Sequence, residues 1–243
     1  MQNEKQDAFG QLILSYHEGR GGHEIIERDD GLFEVSFGPA GYFTTYEDWR
    51  EAVKESLTYA KRRVLDIGCG AGRYALHLQE KGHQVLGIDN SPLAIEVCRK
   101  RGLLEAECMS VTQVTKKIGK FETILMMGAN FGLMENFKRA RWLLKRFKSI
   151  TNPGACIIAQ TRDPYQTDAP EHLEYHERNR QRGRMSGQVR IRVRCRKQVT
   201  PFFDYLFVSK QEMEEIIDGT GWEIERFIDQ HGGLYLAVIR KVG

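Results

Sequence analysis

The stretch Val64-Leu-Asp-Ile-Gly-Cys-Gly-Ala-Gly-Arg73 decides the fold class. It begins inside a short apolar run, 63–67, of the kind that forms a buried strand, and three alternate glycines follow. A helix-like pattern then covers 71–81 and stops at Gly82, a residue suited to the left-handed position after a helix. Glycines between a strand and a helix let the chain turn sharply and bring backbone N–H groups against a ligand. The stretch therefore predicts a ligand site beyond the carboxyl end of a strand.

The alternation of strand and helix continues along the chain. Strands are predicted at 63–67, 84–88, 104–108, 123–127 and 155–159, and helices at 71–81, 92–101 and 135–150. Strands that alternate with helices of this length form βαβ units, so we expect a mostly parallel sheet covered on both faces. A helix over 209–218 and two strands, 223–229 and 234–239, complete the pattern as a closing hairpin. The chain is thus predicted to form one α/β domain.

Two stretches depart from this alternation. In residues 1–60, two β-prone runs, 24–28 and 32–37, are joined through Asp-Gly and predict a hairpin, and a helix-like stretch to about residue 60 has Thr45 as its expected N-cap. Residues 165–188 are polar, and 189–207 contain two β runs that we predict to be antiparallel. We expect an N-terminal cap segment, 1–60, and a domain, 61–243, with a β-containing insertion, 165–207. Both additions are candidates to form a lid.

The composition excludes several classes of protein. With 243 residues, 41% of them hydrophobic, the chain needs no disulfide or metal to hold a core. Its net charge of +3 excludes a polycation and an acidic tail, and five cysteines without a C-x-x-C pair argue against a disulfide framework and a zinc site. No apolar run approaches about 18 residues, and the first residues lack a signal-peptide pattern. We expect a cytoplasmic protein that has reduced thiols, no metal and no membrane segment.

Two carboxylates accompany the glycines. Asp89 ends the second predicted strand, 21 residues after Gly68, where a carboxylate can accept both hydroxyls of a ribose. Asp66 stands two residues before Gly68, where it repels a pyrophosphate but suits a cationic amino group. The glycine spacing G-x-G-x-G also differs from the dinucleotide pattern G-x-G-x-x-G, and position 73 is arginine. The pattern favours a nucleoside ligand that carries a cationic group.

These features resemble the class I S-adenosylmethionine-dependent methyltransferases, whose first motif is D-x-G-x-G-x-G and whose second is an acid that ends the next strand. The resemblance covers about 62–163 and 209–240. It implies a Rossmann-like, doubly wound, seven-stranded and mostly parallel sheet with an antiparallel last strand. It also implies S-adenosyl-L-methionine as cofactor and S-adenosyl-L-homocysteine as product. An NAD(P)-dependent oxidoreductase and a non-catalytic nucleoside-cofactor-binding protein remain alternatives.

The resemblance assigns the cofactor contacts position by position. Asp66 and the backbone of Gly68 and Gly70 face the methionyl part, Gly72 allows close approach, and Asp89 holds the ribose. Asn90 lies beside the adenine, and Met127 and Gly128 line the cofactor near the sulfur. The family often has an acid after the third strand, where this chain has Cys108-Met-Ser110, so Met109 and Ser110 take that place through backbone, hydroxyl or water. Cys69 completes the predicted set, as a small apolar residue within the loop.

Catalytic residues are harder to predict. Methyl transfer from a sulfonium needs the donor and acceptor held in line at about 3–3.5 Å, and a general base only where the acceptor keeps its proton. The catalytic group is therefore unknown, with Asn130, Asp163, Tyr42 and Tyr46 as candidates beside Trp49. The fourth strand is not followed by the Pro-Pro motif of enzymes that methylate base amino groups, and no Pro-Cys dipeptide occurs. We predict a small-molecule acceptor; RNA is the alternative.

The alternative depends on a basic segment. Residues 177–197 carry a net charge of +8, and the rest of the chain carries −5. A strand would place four alternate arginines on one face, namely Arg190, Arg192, Arg194 and Arg196. That face could meet an anionic substrate, an RNA backbone or an acidic partner, or it could be a solvated edge strand. His172 and His176 stand four residues apart among glutamates, and we expect no metal there.

Overall fold

The computed structural model describes residues 6–36 and 38–243. In chain order, their helices and strands are α1 (Ala8–His17), β1 (Ile25–Arg28), β2 (Phe33–Val35), α2 (Glu51–Leu57), β3 (Arg63–Ile67), α3 (Arg73–Glu80), β4 (Gln84–Asp89), α4 (Pro92–Lys100), β5 (Glu105–Cys108), β6 (Phe121–Met126), α5 (Phe137–Ser149), β7 (Thr151–Arg162), α6 (Pro170–Gln181), β8 (Gln188–Cys195), β9 (Gln198–Val199), β10 (Phe203–Leu206), α7 (Lys210–Ile217), β11 (Trp222–Asp229) and β12 (Leu234–Lys241). The predicted alternation of strands and helices is confirmed. No helix in the described ranges is long and apolar enough to cross a membrane.

The chain divides into two compact units. The first contains Met1–Arg50, Arg62–Val114 and Arg190–Phe203, and the second contains Glu51–Lys61, Thr115–Val189 and Asp204–Gly243. The predicted cap segment and the predicted insertion each contribute to both units. The division of the chain at residue 60 stays a prediction.

The first unit contains three parallel strands, β3, β4 and β5. Leu65 pairs with Leu86, and Ile88 pairs with Glu107, so β4 lies between the other two strands. The apolar residues of β3 are buried, as expected for a strand covered on both faces. Because the strands are parallel, their carboxyl ends bring the glycine loop and Asp89 to the same edge.

The predicted hairpin is present in the first unit. β1 and β2 pair antiparallel, with Ile25 opposite Val35, and β1 also pairs antiparallel with β8. Phe37, the last residue of the predicted second run, lies outside the described residues. Val193 and Cys195 of β8 pack with Ala8 and Leu12 of α1, so the apolar face of this small sheet is covered by the N-terminal helix.

The second unit contains the remaining strands of the main sheet. β6 and β7 are parallel, β12 is antiparallel to β7, and β11 is antiparallel to β12. The seven strands β3–β7, β11 and β12 make up one sheet, so β12 is the strand that runs against the others. The predicted Rossmann-like, seven-stranded sheet with an antiparallel last strand is confirmed.

One helix was not predicted, and one local expectation was wrong. The polar stretch 165–188 contains a helix, α6, whose buried side chains include Tyr175, His176 and Asn179. Only a narrow side of this helix is buried, so the sequence shows no clear helical periodicity of apolar residues. Thr45 caps a short 3₁₀ turn over Tyr46–Asp48 rather than α2, because the Asp48 carboxylate accepts from the Thr45 backbone N–H at 3.0 Å.

Candidate functional site

The glycine loop follows β3 with a backbone that only glycine adopts without strain. Gly68, Gly70 and Gly72 have φ angles of 71°, 56° and 77°. The N–H groups of Gly68 and Cys69 both donate to the Ile88 carbonyl, at 2.8 and 3.1 Å, which ties the loop to β4. Thus the spacing of the glycines is explained by the turn they make.

The Cys69 side chain packs into the protein beneath the loop. Its Sγ lies 3.8 Å from Sγ of Cys98, and a Cβ added at Gly87 would lie 3.1 Å from it. The contact with Cys98, followed by burial, raises the pKa of the Cys69 thiol, which keeps it protonated and unreactive. This geometry is that of a small apolar side chain, and only the backbone of Cys69 contributes to the loop.

Asp89 is buried at the end of β4, where it braces the loop. One carboxylate oxygen accepts from the Gly70 N–H at 3.0 Å, and the other accepts from the Ser91 N–H at 2.9 Å. Burial raises the pKa of Asp89 to about 6, although these hydrogen bonds act in the opposite direction. A carboxylate oxygen can accept more than one hydrogen bond, so these contacts leave Asp89 the capacity to accept from a ribose.

Asp66 is the other acid of the loop and is only 2% exposed. Its Oδ2 has no hydrogen-bond partner within the part of the chain that the structure describes. Burial, followed by the repulsion of Asp89, raises the pKa of Asp66 to about 7, and Arg73 lowers it. A buried carboxylate without a partner is costly for the protein, and perturbed acids of this kind concentrate at functional sites.

The N-terminal helix is fastened to the same edge by Asp7, which the sequence reasoning missed. Asp7 is fully buried and caps α1, accepting from the Gly10 N–H at 2.9 Å. Its other oxygen accepts from the Ser91 hydroxyl at 2.7 Å, and Ser91 in turn caps α4. An acid just before the apolar residues of 8–14 is a helix-start signal, so the cap could have been found, but its contact with Ser91 could not.

The other predicted contacts of the first unit lie after β4 and β5. Asn90 is exposed. The Met109 N–H donates to the Asp89 carbonyl at 2.8 Å, which places the residue beside the end of β4. Ser110 caps the short turn Val111–Gln113 with its hydroxyl. These residues surround Asp89 at the sheet edge, and their roles toward a cofactor stay predictions.

The aromatic candidates pack in two places. The Tyr42 hydroxyl donates to buried Glu24 at 2.7 Å, and its ring meets Phe9 edge-on at 5.0 Å. Tyr46 stacks on His77 at 4.6 Å, which accounts for it as packing against α3. Trp49 likewise packs on Tyr74 of α3, at 4.8 Å.

In the second unit, the predicted contacts follow β6. Met127 is 2% exposed, and Gly128 and Ala129 both have positive φ angles, 67° and 65°. The N–H groups of Gly128 and Ala129 donate to one oxygen of the Gln160 side chain, at 2.8 and 3.3 Å. Gln160 was not predicted, because nothing in the sequence links the end of β7 to this loop.

The two catalytic candidates of this unit are also placed. Asn130 opens the short turn Asn130–Met134. The Asp163 carboxylate accepts from the Tyr165 N–H at 2.9 Å, just beyond the end of β7. Among the described residues, no group of three or more histidine, cysteine or acidic side chains is arranged to hold a metal ion.

The predicted arginine face is partly neutralised. Arg192 and Arg194 of β8 both donate to Glu27 of β1, at 2.6 and 2.5 Å, and these contacts lower the pKa of Glu27 to about 2. The alternation ends before Arg196, which lies in the turn after β8 with a φ of 55°. The prediction of four arginines on one strand face was therefore wrong at Arg196. Glu27 was missed because its pairing with β8 is distant in sequence.

A family model described as a methyltransferase domain matches residues 64–154. Over these residues the chain is similar to a methyltransferase domain. The matched residues contain the glycine loop, Asp66 and Asp89, and they leave the subfamily unidentified.

Curated relatives align with part of this chain. The ubiquinone biosynthesis O-methyltransferase of Coxiella burnetii is 25% identical over 114 residues, which are 45% of this chain and 47% of that protein. The 23S rRNA (uracil(1939)-C(5))-methyltransferase RlmD of Shewanella amazonensis is 25% identical over 154 residues, 55% of this chain and 34% of that protein. The chain thus spans half or less of the length of these relatives.

Solved structures match over more of the chain. A SAM-dependent methyltransferase from Bacteroides fragilis, crystallised with S-adenosyl-L-homocysteine, has a TM-score of 0.84 at 22% identity, covering 100% of this chain and 98% of that chain. The CcbJ methyltransferase of Streptomyces caelestis has a TM-score of 0.61 at 13% identity, covering 82% and 95%. These likenesses show that the chain has the fold of S-adenosylmethionine-dependent methyltransferases.

Proposed function

We propose that this protein is an S-adenosyl-L-methionine-dependent methyltransferase that acts on a small-molecule acceptor and leaves S-adenosyl-L-homocysteine. The observation that carries the proposal is the buried Asp66 carboxylate beside the glycine loop, whose Oδ2 has no hydrogen-bond partner among the described residues. It fits a ligand with a cationic amino group, and Asp89 at the same edge fits a ribose. The oxidoreductase alternative is disfavoured, since Asp66 repels a pyrophosphate.

The residues of the first unit bind and orient the cofactor in this proposal. Asp66 holds the methionyl amino group, the loop glycines present backbone N–H groups, and Asp89 accepts from the ribose hydroxyls. When bound, the cofactor supplies a methyl group on a sulfonium that loses its charge as the methyl leaves. The chain contributes mostly position, because aligned reactants can supply about 7–11 kcal/mol of the barrier. Asn130, Asp163 and Tyr42 remain the candidates for contact with the acceptor.

The first experiment tests cofactor binding. Titration calorimetry with S-adenosylhomocysteine and with NADH is expected to show binding of the first and not of the second. Asp89→Ala should weaken S-adenosylhomocysteine binding at least about tenfold, since hydrogen bonds to a charged group are worth about 1.5–3 kcal/mol. Asp168→Ala, which removes an exposed carboxylate, is the matched control and should change nothing. Tight NADH binding without a response to S-adenosylhomocysteine would overturn the proposal.

The choice of a small-molecule acceptor is supported by the state of the basic segment. Arg192 and Arg194 already share Glu27, so one of the positive charges of the predicted anion-binding face is neutralised within the protein. An RNA backbone would have to compete with those ion pairs. The two curated relatives described above include one named for each kind of acceptor, so the experiment must decide between them.

The second experiment follows labelled methyl groups from S-adenosylmethionine. We expect label in a small-molecule extract and none in total RNA. The double variant Arg192→Glu with Arg194→Glu should leave the small-molecule transfer and its salt dependence unchanged. Label in RNA that disappears in the double variant would refute the small-molecule acceptor while keeping the methyltransferase.

A further inference from the structure

We propose that Gln160 and Tyr205 are positioning residues that set the backbone of the loop after β6, and through it the predicted cofactor contact at Gly128. The inference rests on the proposed function, because it concerns binding of the same cofactor. It goes beyond that function in assigning two residues that neither the motif nor the family match identifies. All of the contacts lie within the second unit.

Gln160 holds the loop from its N–H side. Its Oε1 accepts from the N–H groups of Gly128 and Ala129, at 2.8 and 3.3 Å, while its Nε2 donates to Oε1 of Gln230 at 2.6 Å. Gln160 is 8% exposed. The contact with Gln230 fixes which end of the amide faces the loop, so the two N–H groups meet an acceptor.

Tyr205 holds the loop from its carbonyl side. Its hydroxyl donates to the Ala129 carbonyl at 2.6 Å. Its ring lies so close to Gly132 that a Cβ added there would come within 2.0 Å of the ring carbon Cε1. Burial raises the pKa of Tyr205, so its hydroxyl stays a donor at neutral pH.

The loop needs these contacts because its conformation is not the one the chain prefers. Ala129 has a φ of 65°, a conformation that is strained for a residue other than glycine, and Gly128 beside it is free to adopt many conformations. Strained backbone of this kind persists only when the surrounding structure holds it. We infer that without Gln160 or Tyr205 the N–H groups and carbonyls after β6 would turn away from their present directions.

The second contact joins two parts of the predicted site. Tyr205 belongs to β10, in the segment 165–207 that the sequence assigns to the acceptor side. Gly128 is predicted to lie near the cofactor sulfur. Tyr205 therefore connects the acceptor segment to the loop on the cofactor side, and a change at β10 is expected to reach cofactor binding.

Calorimetry with S-adenosylhomocysteine on the full chain tests the inference. Gln160→Leu, which leaves both N–H groups without an acceptor, should weaken binding about tenfold or more, and Tyr205→Phe should weaken it about fivefold. Gln160→Glu keeps an oxygen for both N–H groups and should bind within about threefold of the wild type. Tyr235→Phe is the matched control, because its buried hydroxyl donates to the Val208 carbonyl at 2.9 Å and not to the loop after β6.

The outcomes separate positioning from stability. Tyr235→Phe and Tyr205→Phe should lower the melting temperature by similar amounts, but only Tyr205→Phe should lower the affinity. Equal affinities in these two variants, or a Gln160→Glu variant as weak as Gln160→Leu, would overturn the inference. If Gln160→Leu does not fold, Tyr205→Phe and Gln160→Glu still decide it. Failure of the wild type to bind S-adenosylhomocysteine would instead refute the proposed function.

Discussion

The free protein should become more stable when the charge of Asp66 is removed. Burial raises the pKa of this acid from 3.8 to about 7, so the folded state binds a proton that the unfolded state has released. At about 1.36 kcal/mol per pKa unit, the ionised group costs the free protein about 4 kcal/mol at pH 8. Asp66→Asn removes that cost but buries an amide that needs partners, at about 1–3 kcal/mol. The expected net gain at pH 8 is about 1–3 kcal/mol.

The pH dependence identifies the cause. The penalty on the wild type is absent below the unfolded pKa, grows as pH rises through the interval between about 4 and 7, and is constant above it. Urea unfolding of the free protein, followed by tryptophan fluorescence, should therefore show that Asp66→Asn is more stable than the wild type at pH 8 and less stable at pH 4. An Asp66→Asn effect that is the same at both pH values would refute the reasoning.

Four further predictions follow from the same geometry. Wild-type affinity for S-adenosylhomocysteine should rise between pH 6 and pH 8, as Asp66 ionises through its pKa of about 7, and calorimetry should find this rise missing in Asp66→Asn. Asp7→Ala should cost about 2–4 kcal/mol in urea unfolding, because Gly10 N–H and the Ser91 hydroxyl both lose their acceptor. Gly10→Ala should destabilise by about 1–3 kcal/mol although alanine favours helices, since its Cβ would lie 2.2 Å from Ser91 Oγ. Glu27, whose pKa is lowered to about 2, stabilises above its unfolded pKa, so the advantage of the wild type over Glu27→Gln in thermal melts should vanish as pH falls toward 2 and shrink at high salt.

The main sheet could be predicted because each strand carries its own signal. The runs 63–67 and 84–88 are largely apolar, as in strands that are covered on both faces of a sheet, and they are followed by Gly68 and Asp89. Both the strand and its functional end are therefore local properties of the sequence. Helix α6 could not be predicted, because it buries few side chains. What holds its end is Asn179, whose amide donates to the carbonyls of Ser186 and Gln188, a contact between residues that no periodicity reveals.

The residues of the candidate site also differ in whether the sequence alone could predict them. Asp66 and Asp89 could be predicted because their spacing to the glycines is fixed by one βαβ unit, β3–α3–β4. Glu27, Gln160 and Tyr205 are invisible because each acts on a partner 31 to 167 residues away. Their effect depends on sheet register and on backbone conformation, and only the folded chain brings these partners together.

The surroundings of Asp66 indicate that its charge serves a ligand rather than the fold. This chain has 36 basic residues, yet the nearby Arg73 is bonded elsewhere: its guanidinium donates to the Gly41 carbonyl and to the Thr44 and Tyr74 hydroxyls. Arg73 thus lowers the pKa of Asp66 from a distance without a direct ion pair. A carboxylate that served only the fold would gain from pairing, as Glu27 does with two arginines. The cost of the unpaired Asp66 charge is recovered when a cationic ligand binds, so S-adenosylhomocysteine should raise the melting temperature more at pH 8 than at pH 5.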